Sequence, residues 1–485
     1  MSTAGSENSS TPFAGYTPET QAKQEEGKQK KGSKSGFYSN SRGIRFYIKR
    51  SAEYIADNVA EVITSQLLKF VIDRHAVEYF SVQNQDDHTI YVASEVSEGF
   101  ESLKNYVQNH KRQKTGNPKY TLPMVGANPR DKEAIFDAIA DDEEAKKGLA
   151  KILAGCLWVG EYDCQLGNIL IGKNDQGKTE IRKFDNGWGL ADICKPENHI
   201  VNLFGQKPFA ADMGTHGFGL VPTNHFNDYP KIIRSMEFIE ALGSVIEKTT
   251  PESIDKLAND VINQIVQDYP EKDQLNALKA FSKHIGLTEK LYSSNLNLEG
   301  LKNIIKISLN KRLQERADSM VVLQSLLFIN ASQSLASEQN RTLKLAEKIS
   351  ILRNFKQIIK DKCINNPRYP RNKSIQEILY DIDPSYQDVL RNFLKDMPTK
   401  DELDENERDE VEKLMQFFEA LLETTVPLSQ LKNPETILST TAPAAATTPL
   451  FSKVRESSVK LFKRFRTENI DPNNPGTGDQ KKKPS

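Results

Sequence analysis

The chain carries only four cysteines, Cys156, Cys164, Cys194 and Cys363, and no two of them stand at a CxxC or zinc-ligand spacing. That pattern excludes a disulfide framework and a cysteine zinc site, and leaves reduced thiols of a cytosolic setting as the expectation. Nowhere does a run of about 18 apolar residues occur, so no segment is expected to span a bilayer. Residues 1–34 hold no apolar stretch of the kind a cleavable secretory signal needs, although export by a machine that reads a C-terminal signal stays open. An excess of one charge is missing too. The formal net charge is −1, so no whole-chain field draws nucleic acid, and no nucleic-acid partner is expected. There is no internal repeat and no GxGxxG glycine loop.

What is present divides along the chain. Residues 1–35, rich in Ser, Thr, Gly, Lys and Gln, bury too little apolar surface to offset ordering entropy and are expected to be disordered. From 36 to 98 short runs rich in β-branched and aromatic residues read as strands: Ile44–Lys49, Ala76–Val82 and Thr89–Ala93. One helix interrupts them, from Asp57 to Asp73, with Val59, Val62, Ile63, Leu67, Phe70 and Val71 at helical spacing and Asp57 as the expected N-cap. Residues 99–330 read as a larger, mainly helical lobe with a strand-and-loop segment inside it. Residues 331–430 read as a helical extension, 431–449 as a Thr/Ala/Pro linker and 468–485 as a disordered tail. A small sheet lobe followed by a helical one is an α+β pattern.

The segment from Gly160 to Leu190 carries the chemistry. Asp163 is followed five residues later by Asn168 and the strand Ile169-Leu170-Ile171. After the turn Asn174-Asp175-Gln176-Gly177, a second short strand leads to Phe184-Asp185-Asn186-Gly187. Phosphoryl transfer needs one carboxylate to orient the attacking hydroxyl, and a second carboxylate with an amide oxygen to hold the cation that neutralises a triphosphate. Asp163 fits the first role, Asn168 and Asp185 the second. Gly187 is expected to permit the tight backbone that turns Asp185 toward the metal, and hard oxygen ligands suit Mg2+ or Mn2+.

A nucleotide site also needs a strand lysine and a helix glutamate to hold it. Lys49 closes the strand Arg45–Lys49. Glu61 sits in the first turns of the helix that follows, with Glu53 as competing partner. Residues Tyr91–Phe100 run from strand into a Gly-broken loop, in which Glu95, Val96 and Ser97 are the expected adenine-binding hinge.

Asp163-x-x-x-x-Asn168 followed by Phe184-Asp185-Asn186-Gly187 resembles the catalytic and metal-binding motifs of the kinase superfamily. It looks closest to its phosphatidylinositol 3- and 4-kinase-like branch. Gly160-Glu161-Tyr162-Asp163 with Gly167-Asn168-Ile169 and Asp185-Asn186-Gly187-Trp188-Gly189, and the later Val221–Pro230, are similar to kinase-like effector proteins of intracellular bacterial pathogens. The resemblance implies a two-lobed protein-kinase-like fold, with a small β-rich N-lobe, a larger helical C-lobe and a helical C-terminal extension. It further implies an ATP- and Mg2+-dependent phosphotransferase delivered into a host cell. Glu161-Tyr162 stands where protein kinases carry His-Arg, and Cys164-Gln165 replaces the Arg-His of the lipid kinases. Asn186 replaces the usual aromatic, and Gly32, Gly36 and Gly43 with Ser33, Ser35, Ser39 and Ser41 are what there is to form a phosphate-covering loop.

The segment from Leu190 to Tyr229, the expected substrate loop, contains Lys195, His199, Lys207, His216 and His225. That is too few basic groups for a polyphosphoinositide, and leaves phosphatidylinositol, an inositol phosphate or a protein hydroxyl. His225 reads as a capping or core histidine. Residues 450–467 form a basic amphipathic segment, with Phe451, Val454, Leu461, Phe462 and Phe465 on one stripe and Lys453, Arg455, Lys460, Lys463, Arg464 and Arg466 supplying charge. An anionic membrane or a host protein is the expected partner of 450–466. Against an active kinase stand two other readings: a weak or inactive kinase-like scaffold, and a helical interaction protein in which the central hairpin is structural.

Overall fold

A computed structural model of the chain describes residues 12–19, 35–50, 55–122, 129–195, 225–287, 297–338, 342–360, 385–398 and 403–423. Gly32, Ser33, Glu53, His199, Lys207, His216 and Cys363 fall outside them, as do the expected linker, basic segment and tail from 431 onward.

Alternation sets up the first layer. In β3 (Arg45–Lys49) Phe46 and Ile48 are buried, while Arg45, Tyr47 and Lys49 share the opposite face. Five antiparallel strands pair in the order β1 (Tyr16–Pro18), β2 (Gly36–Asn40), β3, β5 (Ile90–Glu95), β4 (Tyr79–Gln83). One face is sealed by Phe13, Tyr38, Phe46, Ile48, Tyr91 and Ala93. The stretch 1–35 is therefore not uniformly unstructured. Phe13 is fully buried edge-on against Tyr38 and Tyr91, and Glu19 pairs with Arg45 at 2.8 Å. Those partners lie on later strands, which is why local composition hid the first strand.

Helix α1 (Ile55–Ile72) begins two residues before the expected start, which places Asp57 in its first turn rather than at the N-cap. It lies between the two lobes. Val62 packs with Val77, Tyr79 and Val92 of the sheet lobe, while Ile63, Leu67, Leu68 and Val71 join the core of the helical lobe. Each such aliphatic side chain contributes roughly 1.5–3 kcal/mol on burial. The lobes meet again where the Val77 amide donates to the Lys183 carbonyl at 2.9 Å.

The helical lobe follows: β6 (Glu101–Ser102), α2 (Leu103–Thr115), α3 (Pro129–Ile139), α4 (Glu143–Val159), the hairpin β7 (Ile169–Lys173) and β8 (Thr179–Lys183), α5 (Pro230–Ile233), α6 (Met236–Lys248), α7 (Pro251–Asp268), α8 (Glu271–His284) and α9 (Leu298–Glu338). At 41 residues α9 is roughly 60 Å long. It runs through the expected boundary at 330, so the helices α10 (Leu345–Ile359), α11 (Ser385–Lys395) and α12 (Glu405–Glu423) continue one packed body, with α10 and α11 resting on α9. The architecture is α+β and two-lobed, with a small antiparallel sheet lobe and a mostly helical remainder.

Helix α4 delivers the chain to the central segment. Asp142 caps its start by accepting the Ala145 amide at 3.0 Å, and Gly160, at φ 70°, closes its end. Gly155 lets α1 approach, since a Cβ there would meet Ile72 Cγ2 at 2.8 Å. The β7–β8 turn is built by Asn174, whose Oδ1 accepts the Gln176 and Lys178 amides.

Candidate phosphotransfer site

Lys49 stands at the centre. Its Nζ lies 2.8 Å from Glu61 Oε1 on α1 and 3.1 Å from Asp185 Oδ1 after β8, and 5.4 Å from the centre of the Tyr79 ring. Burial alone would lower the ammonium's pKa, but Glu61, Tyr79 and Asp185 raise it well above the usual lysine value. For Asp185, desolvation in the cleft pushes the carboxyl up and Lys49 and Lys183 more than offset it, so its pKa falls below the ordinary value. Glu61 goes the other way: burial outweighs Lys49 and raises it. The Asp185 side chain is still 49% exposed, an ionised carboxylate facing the cleft.

The turn that aims it differs from expectation. Gly187 does not take the left-handed conformation; Asp185 itself does, at φ 57°. A non-glycine residue held there is strained, and the neighbours that hold it are visible. The Asp185 amide donates to Tyr79 Oη at 3.0 Å, its carbonyl accepts Lys183 Nζ at 2.6 Å, and the Asn186 amide donates to Glu61 Oε1 at 3.3 Å. Asn186 is fully buried, and neither end of its side-chain amide finds a partner among the described residues.

Asp163 follows α4. Its Oδ2 accepts Asn168 Nδ2 at 2.9 Å, and its Oδ1 faces His225 Nε2 at 3.7 Å. The Asp163–Asn168 pair and the Lys49–Glu61–Asp185 cluster are joined through the backbone, where the Phe184 amide donates to the Asn168 carbonyl at 3.1 Å. One ionised carboxylate and one amide oxygen suit a hard divalent cation, so Asp185 and Asn168 are the residues that would hold Mg2+. Among the described residues no group of three or more His, Cys, Asp and Glu is placed to hold a metal.

The hinge residues are less open than expected. Glu95 ends β5, and the β3–β5 pairing runs one residue further: the Val96 amide donates to the Arg45 carbonyl at 2.9 Å. The Ser97 hydroxyl accepts Arg182 at 3.0 Å. The Val96 donor that an adenine would use is therefore engaged within the sheet. Of the glycines considered for a phosphate cover, Gly36 lies in β2 opposite Ile48, next to Lys49, while Gly43 lies in the β2–β3 turn at the far end of the sheet.

Three features escaped the sequence reading. Tyr79 supports both Lys49 and Asp185 from β4. His225 and Asp228 flank Asp163. Behind both loops sits a buried pair, Glu161 and Lys183: Glu161 Oε1 accepts the Asp163 amide at 2.8 Å, and Lys183 donates to the Phe184 and Asp185 carbonyls. Among the described residues Glu161 Oε2 has no hydrogen-bond partner. Burial, opposed by Lys183 and reinforced by Asp163, raises its pKa to about 7. Burial opposes the Lys183 ammonium, but Glu161 beside it raises its pKa above the ordinary lysine value, so it stays charged and donates to both carbonyls. The only hint in the sequence was Glu161 in a position where kinases carry another residue.

A raised carboxyl pKa stabilises the fold below the unfolded value of 4.5, and that stability is lost as pH rises through about 7. The loss is on the order of 3 kcal/mol. Glu161→Gln, which does not titrate, should gain on the wild type by that amount between pH 5 and pH 8.5 in urea midpoints. A wild-type–variant difference that ignores pH would refute the assignment.

Gly189 locks the Asp185 loop to α1. A Cβ there would lie 2.2 Å from Thr64 Cγ2, while the Gly189 carbonyl accepts His284 Nε2 at 2.9 Å and the Leu190 amide donates to Val159 at 3.1 Å. The loop cannot retreat, so Gly189→Ala must push α1. Overpacking of this kind costs roughly 1–3 kcal/mol, and calorimetry should show melting several degrees lower. An unchanged melting temperature would mean the contact is soft.

Residues 119–320 match the family described as the LepB N-terminal domain. That stretch contains Asp163, Asn168, Asp185 and His225, but not Lys49 or Glu61. A search of curated proteins finds no match to the chain. Among solved structures, a Helicobacter pylori proinflammatory kinase, CtkA, is similar at a TM-score of 0.36 and 12% identity, over 61% of this chain and 92% of that one. The kinase-like arrangement rests on the sheet order, the placement of α1 and the convergence of Lys49, Glu61 and Asp185. Among the described residues no helix is long and apolar enough to cross a membrane.

Proposed function

We propose that the chain is an ATP- and Mg2+-dependent phosphotransferase acting on an alcohol hydroxyl of a phosphoinositide lipid or a protein. The observation that carries this reading is Lys49 held between Glu61 and Asp185, 2.8 Å and 3.1 Å away, with Asp163 and Asn168 paired beside them. In this reading Lys49 grips the α- and β-phosphates and Glu61 keeps its ammonium aimed into the cleft. Asp163 orients the acceptor hydroxyl and takes its proton. Bound through Asn168 and Asp185, Mg2+ would supply neutralisation of the triphosphate charge. Delivery to a host cell, and attachment to an anionic surface through 450–466, belong to the same proposal.

The test is transfer from radiolabelled ATP to a lipid panel and a host-cell lysate. Asp163→Ala should remove at least about 99% of the label, in line with the 10²–10⁴-fold worth of a positioned base, without altering the melting temperature by more than a few degrees. Transfer that survives in the variant would sink the role of Asp163. The engaged Val96 amide and the buried, unpartnered Asn186 amide favour a second reading, a kinase-like scaffold. Calorimetry showing Mg2+-dependent nucleotide binding, with no turnover on any acceptor, would select it.

A further inference from the structure

Residues 225–229 are bolted to the chain on both sides of Asp163. The His225 amide donates to the Tyr162 carbonyl at 3.2 Å. Tyr229 Oη donates to the Cys164 carbonyl at 2.5 Å, and the Phe226 ring meets Tyr162 edge-on at 5.7 Å. Between these fixings lies a line of three polar side chains, His225 and Asp228 buried and Asp163 partly so. Asp228 Oδ2 is 2.9 Å from His225 Nδ1, and His225 Nε2 is 3.7 Å from Asp163 Oδ1. His225 and Asp228 have side chains 8% and 11% exposed. The imidazole stands between the two carboxylates, hydrogen-bonded to Asp228 and 3.7 Å from Asp163. A base oriented by a second group that is itself oriented by a third is a recurrent way of holding a proton acceptor in one rotamer.

We propose that His225 and Asp228 are positioning residues for Asp163, an inference that rests on the phosphotransferase reading above. Asp228 fixes the imidazole through Nδ1. The Nε2 edge of the ring then backs the Asp163 carboxylate, 3.7 Å from Oδ1, while Oδ2 accepts Asn168 Nδ2. Neither residue touches the reacting atoms. Both act through Asp163, so their loss lowers turnover and leaves nucleotide binding alone.

The experiment uses the full chain with Mg2+ and [γ-32P]ATP, with water as the acceptor, and reads kcat and KM separately. His225→Ala and Asp228→Asn should each lower kcat about 10- to 100-fold, KM for ATP staying within about twofold. His225→Gln, which keeps a donor at similar reach, should recover most of the loss. Added to Asp163→Asn, His225→Ala should cost nothing further, because its effect runs through that carboxylate. Wild-type kcat in His225→Ala, an additive double variant, or Ala and Gln behaving alike would overturn the inference. Asp163→Asn in the same series would still report on the function itself. If the wild type transfers phosphate to no acceptor, whether water, lipid or protein, that reading fails. The pairing is then decided by the 15N resonance of His225 Nε2: a displaced resonance in Asp163→Asn upholds it, and an unmoved one refutes it.

Discussion

Asp185→Asn should abolish Mg2+-dependent turnover while the protein stays folded. The carboxylate is held ionised by Lys49 and Lys183, is half exposed to the cleft, and pairs with the same ammonium that Glu61 grips from behind. Removing its charge takes away the one carboxylate among the proposed metal-holding groups. Metal stabilisation of a developing phosphoryl charge is worth several kcal/mol, and each 1.36 kcal/mol is tenfold in rate, so a loss of about 10³-fold is expected. Asn is the informative substitution. It tolerates the left-handed backbone at φ 57° better than Ala does, and it keeps the shape of the side chain. Lys49 keeps Glu61, so no buried charge is stranded and the melting temperature should move by only a few degrees. The check is turnover titrated with Mg2+, alongside a thermal melt. Turnover within tenfold of wild type at saturating Mg2+ would remove Asp185 from the metal site.

The parts of this site that were legible in the sequence are those written locally. Asp163 and Asn168 lie five residues apart on one loop, and the Asn174–Gly177 turn announces the hairpin that carries Asp185 back beside them. Lys49 and Glu61 were legible because strand and helix follow one another, so chain order alone fixes their face-to-face placement. Glu161 and Lys183 were not, because a buried pair is recognisable only once two loops are stacked. Tyr79 reads as an ordinary strand aromatic until Lys49 is placed over its ring. His225 reads as a core histidine, and burial is indeed its state; what the sequence does not contain is the neighbour it is buried against. The backbone strain was assigned to Gly187 because glycine is the usual occupant of left-handed turns, whereas Tyr79, Lys183 and Glu61 together hold Asp185 in that conformation.

Arg316→Ala should be the most damaging substitution outside the site, because Arg316 closes the end of α4 from which Asp163 hangs. The residue lies on α9 and is 1% exposed. Its Nε donates to the Trp158 carbonyl at 2.8 Å, and a terminal nitrogen donates to the Leu157 carbonyl and, at 3.2 Å, to Tyr162 Oη. Those carbonyls belong to the last turn of α4, where helix geometry leaves acceptors without intrahelical donors and where the dipole favours a cation. Gly160 and Glu161 turn their own amides back to Leu157 and Cys156, but among the described residues no backbone donor reaches the Trp158 carbonyl. Truncation leaves buried acceptors unmet, at about 1–3 kcal/mol each, and opens a cavity beside Tyr162. A total of roughly 3–5 kcal/mol is a large share of a domain's 5–15 kcal/mol. Arg316→Lys keeps the charge but not the fork of donors, and should recover only part of it. The urea midpoints of the three proteins provide the measurement, and a loss below about 1 kcal/mol in the alanine variant would mean that α4 is held by its apolar faces alone. Turnover should fall with stability in both variants, since the carbonyls that Arg316 holds are the last fixed points before Glu161 and Asp163.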